Sequence, residues 1–408
     1  MNTIGIIAEY NPFHKGHLYH LNESVKMVNT DTVVAVMSGN FTQRGEPAIY
    51  DKWIRAEMAV KNGVDLVLEL PFVFACNNAE FFAYGAMNIL NSLGCITHFS
   101  FGSESGHMTG LMDAADLLTH EEPDFKDRLK KHLAEGLSFP RARYETVKEI
   151  KGAETAALIR EPNNILSVEY LKQWIRMGSH MQPITIMRSG KGYHDSDISH
   201  PLASARAIRN KMSQPGDFEL VLKAIPEETA EIMQRTGLIP VTGSEELVKL
   251  LAYKVLTTPA EELAHILSAG EGLENKLKKA IIKNNSTEEV IDYLLSKRYT
   301  ETRIKRLLIH TLTGLTKSGF FGIMENPHLY ARVLGFSSNG AKLLRHIKSQ
   351  ERNKIPIISN INKELRPGDP VWDILKYDIL ASDIYNLLYL NDLYKRSDHV
   401  CSPFFGEK

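Results

Sequence analysis

Five short apolar runs alternate with segments of helical length along the first half of the chain, and this alternation restricts the fold most. The runs are Thr3–Ala8, Thr32–Met37, Asp65–Leu70, Ile96–Phe101 and Pro183–Met187. Each is rich in Val, Ile, Leu or Phe and too short for an ordinary helix. Between them lie the helix-like segments Lys15–Val28, Lys52–Lys61 and Ala79–Leu93, with more after Gly106. Such alternation predicts an α/β fold, with a Rossmann-like parallel sheet covered on both faces. Ligands of open α/β sheets bind beyond the carboxyl ends of the strands. Four of those ends carry polar, glycine-containing loops: Asn11–His17, Ser38–Gly45, Gly102–Gly106 and Arg188–Asp195. A glycine in any one of them could simply serve a turn; it is their joint position that indicates a site.

The loop after the first run contains His14-Lys15-Gly16-His17. From 15 His and 27 Gly in 408 residues, the chance count of H-x-G-H is about 0.04. The motif opens the first helix, where free backbone N–H groups and the helix dipole favour a phosphate. Gly16 permits close backbone approach, and two imidazoles can donate to phosphate oxygens as charge develops. A zinc site is the rival reading, but an i, i+3 pair supplies only two ligands and no cysteine is nearby. No protein metal site is therefore expected.

Two further stretches bear on the site. In "EPNNILSVEYL", Pro162 followed by Asn163, Asn164 and an apolar stripe predicts a helix start with one asparagine as its cap. In "LASARAIRNKM", Ser204 can cap a helix from which Arg209 reaches a phosphate at its start.

H-x-G-H after a first strand, with Ala203-Ser204-Ala205-Arg206-Ala207-Ile208-Arg209 after a fifth, resembles the HIGH-type nucleotidyltransferase superfamily. Its second signature is typically I-S-S-T-x-I-R. Ser204 and Arg209 are kept, and Arg206 stands where Thr is usual. The stretches "AEYNPFHKGHLYH", "VMSGNFTQRGEPA", "GVDLVLELPF", "FGSES", "EPNNILSVEYL" and "GKGYHD" occur in the order seen in bacterial tRNA(Met) cytidine acetate ligases. The chain resembles that family over nearly its whole length.

The resemblance implies a two-step reaction. ATP and acetate give acetyl-adenylate and pyrophosphate. The acetyl group then passes to the wobble cytidine of elongator tRNA(Met), forming N4-acetylcytidine. It implies ATP contacts at Ile7, Ala8, Glu9, Tyr10, Asn11, Pro12, Phe13, His14, Lys15, Gly16, His17, Leu18, Tyr19 and His20, and at Gly102, Asn163, Arg188 and Ser204. His14, His17 and Arg209 are the expected catalytic residues. Mg²⁺ is expected to accompany ATP, carried by phosphate and water, without a tightly bound cofactor. Two rival functions stay open: a small-molecule adenylyltransferase, and a non-catalytic tRNA-binding protein with a regulatory nucleotide site.

After about Met212 the strand signal fades, and amphipathic helical segments follow. The expected division is a nucleotidyltransferase domain over residues 1–212 and a mainly helical region over 213–408. Net charge is −1, so any RNA surface must be a local patch. Lys297 and Arg298 precede "ETRIKRLLIH", where Arg303, Arg306 and His310 share a helical face. With Arg44 and Lys191 on strand-end loops, these cations are the expected RNA contacts. "YARVLGFSSNGAKLLRHIK", with Arg332, Lys342 and Arg345, is a second candidate. Three scattered cysteines argue against a disulfide framework. No apolar stretch reaches the ~20 residues of a membrane span and no leader precedes the first strand, so a cytoplasmic protein without an obligate protein partner is expected.

Overall fold

The computed structural model describes all residues except 1, 31, 189–202, 213–217, 238–243, 271, 297, 390–396 and 408. The five expected strands are present as β1 (Thr3–Ala8), β2 (Thr32–Ser38), β3 (Leu66–Leu70), β4 (His98–Ser103) and β5 (Gln182–Met187). They pair in parallel in the order β5-β4-β1-β2-β3. β1 lies between β2 and β4, so the chain reverses its winding there. The carboxyl ends of β1 and β4 therefore flank the switch-point crevice of a doubly wound sheet.

Alternating side chains cover the two faces, as a period of two requires. Ile4, Ile6, Val33, Ala35 and Met37 pack with α1 (Lys15–Val28) and α2 (Lys52–Lys61). Val34, Val36, Leu66, Leu68 and Leu70 pack in the other core with α3 (Ala79–Ser92) and α4 (Pro162–Met177). Asp51 starts α2 by accepting from the N–H groups of Trp53 and Ile54 at 2.9 and 3.0 Å. Helix α5 (Ala205–Met212) carries most of the second signature.

The region after residue 212 is mainly helical and includes α6 (Glu301–Thr313), α7 (Ser338–Ser349) and α8 (Trp372–Tyr389). It differs from expectation in returning strands to the same sheet. β6 (Ala331–Ser337) pairs antiparallel with β3, and β7 (Ile357–Ile358) and β8 (Phe404–Gly406) both pair with β6. Arg332, read as a candidate RNA contact, is consequently buried on β6, where its Nη2 donates to the Asp398 backbone oxygen at 3.1 Å. Among the described residues no helix is long and apolar enough to cross a membrane.

Candidate active site

A cavity of about 450 Å³ opens at the switch point. Its floor is the end of β1, its sides are the starts of α1 and α5 and the ends of β4 and β5, and Thr302 and Arg306 of α6 close one edge. Among its described lining residues are five arginines (44, 188, 206, 209 and 306), three histidines (14, 17 and 20) and one carboxylate, Glu9. This is a site for a polyanion.

The two histidines of H-x-G-H cap their own helix. His14 Nδ1 accepts from the Gly16 N–H at 3.0 Å, and His17 Nδ1 accepts from the His14 N–H at 3.3 Å. With both Nδ1 atoms occupied as acceptors, the ring protons reside on Nε2. The rings stack at 3.7 Å between centroids, and Tyr10 meets His17 edge-on at 5.0 Å. Burial lowers the His14 pKa to about 3, helped by Arg188 and Arg209. His17 is also held well below its ordinary value, first by burial and then by His14. Both are thus neutral N–H donors at physiological pH.

Gly16 has a second reason beyond ligand approach. A Cβ there would lie 2.8 Å from His14 Cε1 and 2.9 Å from its Nδ1. Gly16→Ala is expected to displace the His14 ring and slow nucleotide activation by about 10², the cost of misplacing a reacting group by an ångström. Steady-state kinetics on the folded variant check this; a wild-type rate refutes it.

The second signature behaves as expected at its start. Ser204 Oγ accepts from the Ala207 N–H at 3.1 Å, and Arg209 Nη1 donates to the Asn11 backbone oxygen at 2.9 Å. The start of α4 does not. Neither Asn163 nor Asn164 is its cap. The Glu104 carboxylate from beyond β4 accepts from both their N–H groups, at 3.1 and 2.8 Å. Asn163 is left to bind Glu104 through its amide nitrogen at 2.6 Å and to accept from Arg188 Nη1 at 3.3 Å. Gly102 lets Arg188 lie across the end of β4, since a Cβ would stand 3.3 Å from Arg188 Cγ.

Residues 1–399 match the HIGH nucleotidyl transferase family. The chain belongs to that family. Among its relatives, the tRNA(Met) cytidine acetate ligase of Syntrophomonas wolfei is 40% identical over 417 residues, covering the whole of both chains. The enzyme of that name from Thermoanaerobacter pseudethanolicus is 42% identical over 399 residues, 96% of each chain. Thermotoga maritima TmcAL is similar throughout: its apo crystal structure has a TM-score of 0.92 at 32% identity, covering all of both chains. Its structure bound with alpha-thio ATP gives 0.90 at 31%, again over all of both chains.

Within this nucleotidyltransferase frame, Ile7, Ala8, Glu9, Tyr10, His14, Gly16, His17, Tyr19, His20, Gly102, Asn163, Arg188, Ser204 and Arg209 all line the cavity. Asn11, Pro12, Phe13, Lys15 and Leu18 are not among its lining residues. Asn11 and Phe13 support it: the Asn11 side chain accepts from the Ile49 N–H at 2.9 Å, and Phe13 packs 5.6 Å from His17. Lys15 turns away to the Lys223 backbone oxygen at 2.6 Å.

The expected RNA contacts divide. Arg44 and Arg306 line the cavity. Arg306 donates to the Gln43 backbone oxygen at 3.1 Å. Arg303 lies outside it, with its guanidinium 4.8 Å from the Tyr299 ring. His310 does not share that outward face: it is buried, bonded to the Cys76 oxygen at 2.7 Å and to Ser268 at 3.0 Å. Arg298 is exposed, whereas Lys191 and Lys297 fall outside the described residues. Gln43, Phe82, Phe101, Tyr170 and Thr302 are among the lining residues that sequence reading did not assign to the site. Gln43 had a signal in its polar strand-end loop, and Tyr170 and Thr302 lie inside the quoted stretches "EPNNILSVEYL" and "ETRIKRLLIH".

Proposed function

We propose that this protein activates acetate with ATP and transfers the acetyl group to the wobble cytidine of elongator tRNA(Met), giving N4-acetylcytidine. The observation that carries the reading is the convergence of His14, His17, Ser204 and Arg209 on a cationic cavity at the switch point of the sheet. Neutral Nε2–H donors and fixed guanidinium groups are what a triphosphate needs as its α-phosphorus is attacked. Full-length similarity to proteins named for this reaction, and to one seen with alpha-thio ATP, supports it.

In the first step the acetate oxygen attacks the α-phosphorus and pyrophosphate leaves with the new negative charge. His14, His17 and Arg209 hold that charge. Among the described residues no group of three or more His, Cys, Asp or Glu could hold a metal ion. Mg²⁺ would accompany ATP, held by phosphate and water, and would neutralise the polyphosphate charge. The second step needs the cytosine amine brought to the acyl carbon, and positioning supplies much of its rate. A base stacked in an anticodon loop is splayed out for this. Arg44 holds a neighbouring phosphate, and Arg298 and Arg303 extend the basic surface beyond residue 212, while Lys191 and Lys297 are RNA contacts expected from sequence that lie outside the described residues.

Acetate-dependent ATP–pyrophosphate exchange without tRNA is the expected result. Exchange that needs a different acceptor supports the adenylyltransferase reading, and no exchange supports the regulatory one. Replacing Arg298 and Arg303 together is expected to weaken tRNA binding and flatten its salt dependence by about two counterions. A salt titration of binding checks this, and an unchanged slope removes these residues from the RNA surface.

A further inference from the structure

Acetyl transfer to an amine requires a proton acceptor. As the amine nitrogen bonds to the acyl carbon, the carbon–oxygen bond to the adenylate phosphate breaks and AMP leaves with the electron pair. The nitrogen must then lose one proton. We propose that the Glu9 carboxylate accepts it. This rests on the preceding reading of the site.

The other lining groups are unsuited. The arginines are always protonated. His14 and His17 already use Nδ1 as an acceptor, so a further proton would make either a buried cation beside arginines. His20 Nε2 is engaged with the Ser100 hydroxyl at 3.0 Å, and burial lowers its pKa to about 4. Tyr170 is a neutral phenol, its pKa raised by burial and by Glu9 itself. Glu9 is the one carboxylate among the described lining residues.

Its geometry is that of a positioned base. Glu9 Oε1 accepts from the Gln43 N–H at 2.9 Å, while Oε2 has no hydrogen bond among the described residues. The Glu9 backbone oxygen accepts from Arg55 Nη1 at 2.6 Å. The Gln43 peptide is fixed at its other end as well, by Arg306. α6 presses so close beneath this turn that a Cβ on Gly45 would lie 2.4 Å from the Arg306 nitrogen. The residues reaching this edge of the cavity from beyond residue 212, Thr302 and Arg306, lie on the helix proposed to face RNA, so the acceptor enters beside Glu9. The charged and titratable groups around Glu9 are Arg55 on α2, Tyr170 on α4, Cys76, Arg44, Arg306 on α6, and His14, His17 and His20 at and after the start of α1. Burial pushes the Cys76 thiol up to about 12, so it is neutral.

The test compares the two half-reactions. Glu9→Gln keeps an acceptor for the Gln43 N–H but removes the base. Acetyl transfer from chemically prepared acetyl-adenylate to elongator tRNA(Met), in single turnover, is expected to slow about 10²–10⁴-fold more than exchange does. Glu9→Asp, which keeps a carboxylate, is expected to recover part of the transfer rate that Glu9→Gln loses. Equal slowing of both steps, an unaffected transfer step, or an aspartate variant as slow as the glutamine one would overturn the proposal. Absence of acetate-dependent exchange in the wild type counts instead against the preceding reading.

Discussion

His17→Ala is expected to slow adenylate formation by about 10²–10³, the usual loss for one preorganised donor at a developing oxyanion. The loss of ATP binding should be smaller, because the Nε2–H bond strengthens as charge builds on the phosphate. Two features of the ring support this size of effect. It is fixed on several sides, by the His14 N–H, by the stacked His14 ring and by the Tyr10 edge. It is also neutral throughout the working range, since burial and His14 hold its pKa well below the ordinary value. No titration of His17 itself should therefore appear, and the wild-type to variant rate ratio should stay constant between about pH 5.5 and 8. Exchange kinetics across that range decide the matter. A variant with wild-type rates, or a ratio that collapses at low pH, removes His17 from this role.

The first half of the fold was legible because its signals are local. β1 to β5 are short apolar runs between helical segments, and H-x-G-H stands at a turn where a helix start faces the crevice. What H-x-G-H does to its own helix was not legible. Histidine is outside the usual set of N-cap residues, so the reciprocal bonds of His14 and His17 have no sequence signature. The cap of α4 was missed for a different reason. Glu104 lies far from Asn163 and Asn164 in sequence, and only the fold brings its carboxylate to their N–H groups.

The later residues show the limit of periodicity. The spacing of Arg303, Arg306 and His310 gives a face of α6 but not what that face meets. In the structure Arg306 meets the Gln43 turn and His310 meets Cys76, leaving Arg303 outside the cavity. β6 was hidden likewise. Ala331–Ser337 is a short apolar run that sequence alone cannot assign to a strand or a helix. Its partner β3 lies far earlier in the chain, so nothing local announces the pairing. Gln43, Tyr170 and Thr302 lie inside stretches that stand out in the sequence, but nothing local shows that three distant segments bring them to one cavity.

Lys52→Met should cost about 3–5 kcal/mol of stability, as removing one partner of a buried ion pair does. Lys52 is fully buried, and its Nζ bonds both Glu69 oxygens at 2.7 and 2.8 Å and Asp398 at 2.7 Å. Arg332 adds a second cation 3.3 Å from Asp398. Nearby Asp378, its pKa pushed up to about 8 by burial and then Glu69, stays protonated near neutrality. Two cations thus face two carboxylates, and methionine leaves one carboxylate uncompensated. Lys52 and Arg332 hold Asp398 below its ordinary pKa against the opposing pull of burial. Its contribution is therefore present above the ordinary carboxylate range and fades as pH falls through the depressed value. Burial raises the pKa of Glu69, which makes its protonation easier still once Lys52 is gone. The gap between wild type and variant should accordingly narrow on acidification. Urea denaturation near pH 7 and near pH 4 measures both effects, and a loss under about 1 kcal/mol at neutral pH would contradict the argument. Lys52 sits on α2, Glu69 on β3, Arg332 on β6 and Asp398 in the segment before β8, so the cluster joins the nucleotide-binding half to the last strands of the chain. Because β6 and β8 belong to the same sheet as β1, one cooperative transition should shift as a whole. Two transitions, with only the later one displaced, would mean that residues after 212 unfold independently of the site.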